Sequence, residues 1–288
     1  MNKEKVAFLV DSGSDVPKDI LEKGNMKVIP LKIIYKDGEY TDKIDIQAEE
    51  VYDRLKEEIP KTSLPDGEVI KKMLTEIKAE GYTKVIAVTI SSGLSGTNNM
   101  VRLMAEEVEG LDIFVLDTKN VGIGSGLHAE RALSYVESGM DWETIKQKLQ
   151  NGVENIKVHF YVDTLEYLQK GGRIGLVSSL VGNLLNLKPV ISCNEDGIYY
   201  TVAKARGSKK GIQKTIDCAI DYAKQANKYD VAVCYAGKET KELAVTVAGK
   251  LKEALPNIRT SYFDSISPAL GVHTGPGLIG IGVSQLEG

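Results

Sequence analysis

The sequence predicts an α/β protein of two domains, an N-terminal Rossmann-like parallel sheet followed by a C-terminal mixed-sheet α/β domain. Three observations carry that prediction. The 288 residues exceed the usual size of one domain. Through the first half, short β-branched runs alternate with amphipathic stretches, the pattern of parallel strands joined by helical crossovers. In the second half Asp196-Gly197 marks a tight turn between two such runs, so strands there pair antiparallel and the sheet is mixed.

In chain order, strands are expected over 6–10, 28–35, 85–90 and 113–117, all rich in Val, Ile and Leu. Helices are expected over 17–23, 48–58, 68–80, 97–107 and 127–136. Pro17 suits a first helical turn, and Val51, Leu55 and Ile59 recur at four-residue spacing on one face. Lys36-Asp37-Gly38-Glu39 carries a hairpin signal. The stretch 142–156 reads as a connecting helix, and the boundary falls there: residues 1–156 form one domain and 157–288 the other. The second domain should hold strands over 158–162, 189–193, 198–205, 231–235, 259–262 and 279–283. Its long helices should cover 209–224, with Ile212, Ile216, Ile220 and Ala223 on one stripe, and 241–254.

Composition excludes several function classes. Hydrophobic residues at 42% and charged residues at 26% describe an ordinary globular protein rather than a disordered one. The net charge of -4 argues against a nucleic-acid surface, which needs a broad basic face. No apolar run approaches the roughly 20 residues that span a bilayer, and the run 6–10 is too short for a signal peptide core. Cys193, Cys218 and Cys234 are scattered and odd in number, as are His128, His159 and His273, so neither a disulfide framework nor a metal site is expected. A cytoplasmic location follows from that cysteine usage.

The chemistry should lie in loops after strands, where α/β proteins place ligands. Asp11-Ser12-Gly13-Ser14-Asp15 closes the first strand, although a helix cap and turn would explain the same residues. Lys61-Thr62-Ser63-Leu64-Pro65 reads as a polar loop between helices. Ser91-Ser92-Gly93-Leu94-Ser95-Gly96-Thr97 follows an apolar strand and opens a helix, where small residues and helix-start N–H groups favour an anion. Gly122-Ile123-Gly124-Ser125-Gly126 invites a dinucleotide reading but has the wrong glycine spacing, and no P-loop is present. Ser92 or Ser95 with His273 invites a serine hydrolase reading, but neither serine sits on a Gly-x-Ser-x-Gly elbow. Gly171-Gly172 ends a short helix begun near Asp163, with Arg173 projecting beyond it. Leu180, Leu184 and Leu185 belong to a stretch more apolar than a surface helix, fit for core or for the wall of a lipid tunnel. Ser267 to Leu278 reads as a glycine-rich, proline-stiffened loop carrying His273.

Taken together, Asp11-Ser12-Gly13-Ser14-Asp15-Val16-Pro17, Thr62-Ser63-Leu64-Pro65, Ser91 to Thr97, Asp163 to Leu168, Gly171-Gly172-Arg173-Ile174 and His273-Thr274-Gly275-Pro276-Gly277 resemble the DegV family of bacterial fatty-acid-binding proteins. The likeness spans essentially the whole chain. It implies one long-chain fatty acid held between the two domains, with Thr62, Ser63, Ser92, Ser95 and His273 around the carboxylate. Thr62 and Ser95 would be its principal hydroxyl ligands. It further implies an acyl tunnel lined by Leu180, Leu184 and Leu185, no cofactor, no chemistry of the chain's own, and a separate fatty-acid kinase subunit that turns the bound acid into an acyl phosphate for phospholipid synthesis. Arg173 and Arg206 are the residues expected to dock that kinase. A hydroxyl cradle without a fixed counter-charge would satisfy the buried oxygens and leave them free to react.

Overall fold

The computed structural model describes residues 4–180 and 186–286. Strand β1 (Val6–Asp11) is buried along its whole length. A tight turn at Ser12–Ser14 leads to α1 (Lys18–Gly24) and then β2 (Lys27–Ile29), which pairs in parallel with β1. Next, β3 (Lys32–Tyr35) and β4 (Gly38–Thr41) form an antiparallel hairpin turning at Lys36-Asp37. The single strand expected over 28–35 is therefore two strands in two sheets. Pro30 divides them, since it has no N–H to give to a ladder and fixes its own backbone.

Helix α2 (Ala48–Arg54) stops short of the expected end, leaving Ile59 outside it. Strand β5 (Lys61–Ser63) pairs antiparallel with β3 and sets Thr62 opposite Ile33, so the expected polar loop begins as a strand. Its pairing is non-local, which no period within three residues reveals. Then follow α3 (Gly67–Ala79), whose first turn is capped by Asp66, β6 (Lys84–Thr89), α4 (Thr97–Glu106), β7 (Asp112–Asp117), α5 (Ile123–Glu137) and α6 (Trp142–Asn151). The parallel sheet has the order β2-β1-β6-β7, and β4-β3-β5 make a small antiparallel sheet beside it. Helix α5 starts four residues before the expected 127, inside the glycine run. Those glycines serve packing rather than a nucleotide: a β-carbon on Gly126 would stand 2.8 Å from the Ser14 carbonyl oxygen. The connecting helix ends at Asn151 rather than 156, because a short turn at Val153–Asn155 passes directly into the next strand.

That strand is β8 (Ile156–Tyr161), followed by α7 (Glu166–Lys170), β9 (Leu187–Cys193), β10 (Tyr199–Arg206), α8 (Ser208–Ala223), β11 (Lys228–Tyr235), α9 (Lys241–Ala254), β12 (Ile258–Ser265), α10 (Pro268–Thr274) and β13 (Ile279–Leu286). They build a six-stranded sheet of order β10-β9-β8-β13-β11-β12, parallel only between β11 and β12. The segment around His273 is thus a helix and not the expected loop. Pro268 occupies its first turn, and Gly275 ends it at φ 68°, where a side chain would be strained.

Four apolar clusters hold the layers. Ile20, Leu133 and Trp142 cover one face of the parallel sheet, and Ile70, Leu74 and Val101 the other. Ile216 and Val247, from α8 and α9, cover the outer face of the six-stranded sheet. The fourth cluster joins both halves of the chain, running from Leu31, Val51 and Leu127 to Phe160, Cys234 and Val272. It is here that the molecule leaves room.

Candidate functional site

A cavity of about 1050 Å³, counted with its mouth, opens inside this shared core. Its walls alternate by element. Val158 and Phe160, two apart on β8, face it with Cys234 of β11 and Gly280 of β13. Ile90, Val121 and Ile123 close it from the parallel-sheet side, with Leu31 just before β3. Ala269 and Leu270 from α10 complete an almost wholly apolar chamber. At one place the lining turns polar, with Thr62, Ser63, Ser95, Arg173, His273 and Thr274.

Three of these groups come from distant segments. Strand β5 carries Thr62, α10 carries His273 near its last turn, and Ser95 stands just ahead of α4. Thr62 Oγ1 and His273 Nε2 lie 2.7 Å apart. Burial, then the neighbouring Arg173 charge, push the imidazole down to about 4, so it is neutral at neutral pH. With its proton on Nε2 the ring donates to Thr62, which frees the threonine O–H to donate to an anion in the cavity. Close by, the backbone of Gly171 presses on the ring: a β-carbon there would lie 2.2 Å from His273 Nδ1. Ser95 Oγ sits 2.9 Å from Thr97 Oγ1 and accepts from Thr97 N.

The charge at this end is supplied by Arg173. Its guanidinium donates to the Gly171 carbonyl at 2.8 Å, is half-buried and borders the cavity. The cradle without a fixed cation expected from the sequence is therefore corrected: a cation stands at the polar end, where it offsets the desolvation of an anion. The loop amides ahead of α4 are engaged within the loop. Leu94 N and Ser95 N donate to the Ser91 carbonyl, and Gly93 N to Ser91 Oγ. Of the helix-start amides, Thr97 N donates to Ser95 Oγ.

Of the residues expected at the carboxylate, Thr62, Ser63, Ser95 and His273 come together on the cavity wall. Ser92 does not. Its hydroxyl donates to Asp117 Oδ2, next to Lys119, away from the lining. Burial raises the Asp117 carboxyl, but hydrogen bonds from Ser92 and Lys119 bring it below its usual range, so it holds Ser92 as a firm acceptor. Leu180 packs beside the shared core without lining the cavity, and Leu184 and Leu185 lie outside the described residues. Arg206 is exposed on the edge strand β10, seven residues and roughly 23 Å along from Tyr199, which does line the cavity. Arg173 and Arg206 thus form no single patch. Sequence reasoning missed Phe160, Tyr199, Cys234 and Ile266. The period-2 spacing of Val158 and Phe160 marks a shared face, but nothing local says that the face meets empty space.

Ten buried polar atoms among the described residues lack a partner, His273 Nδ1 included. No group of three His, Cys, Asp or Glu among those residues is placed to hold a metal, and no described helix is long and apolar enough to cross a membrane.

Comparison with known proteins gives a consistent result. Residues 5–286 match the model of a family described as uncharacterised, the DegV family. A DegV domain-containing protein of Clostridium acetobutylicum is 44% identical over 96% of this chain and 98% of its own length. A fatty acid-binding protein of Thermotoga maritima is 34% identical, covering 98% of this chain and 99% of the relative. Among solved structures, a DegV family protein from Thermus thermophilus described by its fatty acid binding superposes with a TM-score of 0.90 at 29% identity, over 99% of this chain and all of the other.

Proposed function

Because the chain belongs to the DegV family, we propose that it binds one long-chain fatty acid between its two halves, residues 1–156 and 157–288, and presents the carboxylate to a separate kinase for acyl-phosphate formation. One observation carries the reading: an apolar chamber, about 1050 Å³ when its open mouth is counted, that turns polar where Thr62, Ser63, Ser95, Arg173, His273 and Thr274 meet. A tail of about sixteen carbons buried there supplies roughly 12 kcal/mol of gross transfer energy before ordering costs. The hydroxyls and Arg173 then hold the head group. The chain itself is a carrier in this reading and works in the cytoplasm. Ester hydrolysis finds less support, since His273 is engaged with Thr62 and Ser95 with Thr97, and neither serine is paired with the imidazole.

The test is native mass spectrometry of the purified protein, followed by extraction of the ligand. One fatty acid per chain is the expected result; a nucleotide, or an acyl group bound covalently to Ser92 or Ser95, would overturn it. For the kinase step, Arg206 is the residue to reverse. Arg206→Glu should leave lipid affinity within about twofold and slow acyl-phosphate formation by a kinase subunit, with reduced salt sensitivity. Unchanged turnover at every salt concentration would remove Arg206 from docking.

A further inference from the structure

The head-group residues come from three unrelated segments, and one small polar knot holds the start of α10, the residue just after β6, and β3, on which the Thr62 strand is paired. It consists of the turn after β1, Asp11 to Asp15, together with Asp42. Asp11 Oδ2 accepts from Ile90 N at 2.7 Å, fixing the end of β6 just before the loop that holds Ser95. Ser12 Oγ accepts from Leu31 N at 3.0 Å, fixing the start of β3, the strand on which Thr62 is registered. The same hydroxyl donates to Asp42 Oδ2 at 2.6 Å. Asp42 Oδ1 in turn accepts from Ala269 N at 2.9 Å, and Asp15 accepts from Ser267 N at 3.0 Å, so two carboxylates grip the start of the helix that ends with His273. Gly13 O accepts from Gly122 N at 3.0 Å on the cavity wall.

We propose that Asp42, tied through Ser12 to the start of β3, and Asp15 are positioning residues that set the distance between Thr62 and His273 and so fix how the site recognises a carboxylate. The proposal rests on the fatty-acid reading. None of these side chains lines the cavity, so they act only through the segments they hold. Ser267 caps the short helix α10, six residues ahead of His273 near its other end, so a shift at the held end moves the imidazole as a lever. A wrong length there breaks a contact of 2.7 Å, because hydrogen bonds weaken within a few tenths of an ångström. The knot is an unusual place to gather acids. Asp11, Asp15 and Asp42 are all buried, and the charge of Asp15 is met by Lys43 at 2.9 Å. Elsewhere among the described helices only α3 and α6 have a capping side chain, and each is a single exposed aspartate, Asp66 and Asp141.

The experiment compares a saturated fatty acid with the alcohol of equal length, each titrated into delipidated protein. Both bury the same tail, and only the acid needs the head-group geometry. In the wild type the acid should bind more tightly. Asp42→Ala should reduce that preference by about tenfold or more while changing alcohol affinity less than about threefold. Asp42→Asn, which keeps an acceptor for Ala269 N, should restore most of the preference. Equal losses for acid and alcohol would mean that Asp42 merely supports the fold, and an unchanged preference would mean it does not position the site; either overturns the inference. Should Asp42→Ala fail to fold, Ser12→Ala serves as the second variant. It should lower the acid preference and shift the His273 ring resonances in the ligand-free protein, and intact ring resonances with intact preference would sink the proposal. A wild type that binds neither ligand would instead refute the fatty-acid reading itself.

Discussion

Replacing Gly280 by alanine should make the protein a measure of acyl length. A β-carbon on Gly280 would stand 2.5 Å from Cys234 Sγ, 3.6 Å from Leu278 Cδ2 and 3.8 Å from Phe160 Cβ. The first distance is too short for the atoms to coexist, so the thiol must move, and because both Gly280 and Cys234 border the cavity we expect it to turn into that space. The space lost corresponds to one or two methylene groups of ligand. At about 0.8 kcal/mol per buried methylene, affinity for a chain long enough to reach this wall should fall by about 0.8 to 1.6 kcal/mol, or about 4- to 15-fold. Acids too short to reach it should bind as before. Calorimetric titration of delipidated protein with saturated acids of about ten to about eighteen carbons reads this directly, with a thermal melt to confirm that the variant is folded. Adding Cys234→Ala removes the displaced sulfur and should return most of the loss. A uniform loss at every length, or none at the longest, would refute the placement of the tail against β11 and β13, and so would a double variant no better than Gly280→Ala alone.

Other substitutions probe the remaining parts of the site and the buried charges. Thr62→Val keeps the shape and strand preference of the residue but removes its hydroxyl; losing a hydrogen bond to a charged oxygen should cost about 1.5–3 kcal/mol of acid affinity, or about 10- to 150-fold, and unchanged calorimetric affinity would take Thr62 out of the site. Ser92→Ala should leave fatty-acid affinity within about twofold, because its hydroxyl serves Asp117; a loss as large as that of Thr62→Val would return Ser92 to the ligand. Burial holds His128 down at about 3 against an ordinary 6.5, so the unfolded chain binds the extra proton between those values. Stability from this group is full above 6.5 and is lost as pH falls, by about 2 kcal/mol at pH 5; His128→Leu should lose less between pH 7 and 5 in urea melts, and equal losses would contradict the assignment. Asp11 runs the other way. Burial raises it to about 7, so the folded chain keeps a proton that the unfolded one releases, and stability falls as pH rises from about 4 to about 7. Asp11→Asn should flatten that fall, and an unaltered pH slope would show that Asp11 does not titrate there.

What the sequence by itself determined is what short periods encode. Val6 to Val10, Val85 to Ile90 and Ile279 to Val283 declare strands, Ile212, Ile216 and Ile220 a helix stripe, and Asp196-Gly197 a turn, so the α/β class and the mixed second sheet were legible. Thr62, Ser95 and His273 could be singled out as residue types suited to an anion, and the order of the short motifs matched one family. The tertiary structure alone decided which of those groups share a space. Thr62 and His273 are 211 residues apart, and their contact depends on β5 joining β3, which has no local signal, and on α10 being a helix, whose local marks are only Pro268 at its start and Gly275 at its end. Ser92 and Ser95 are alike in sequence, yet the turn between them points one at Asp117 and brings the other to the cavity. Arg173 read as a docking residue because a glycine-flanked arginine gives no hint of what it faces. The chamber itself is invisible to any periodicity, since apolar residues that line an empty space and those that fill a core carry the same pattern, and only the distance between their layers tells them apart.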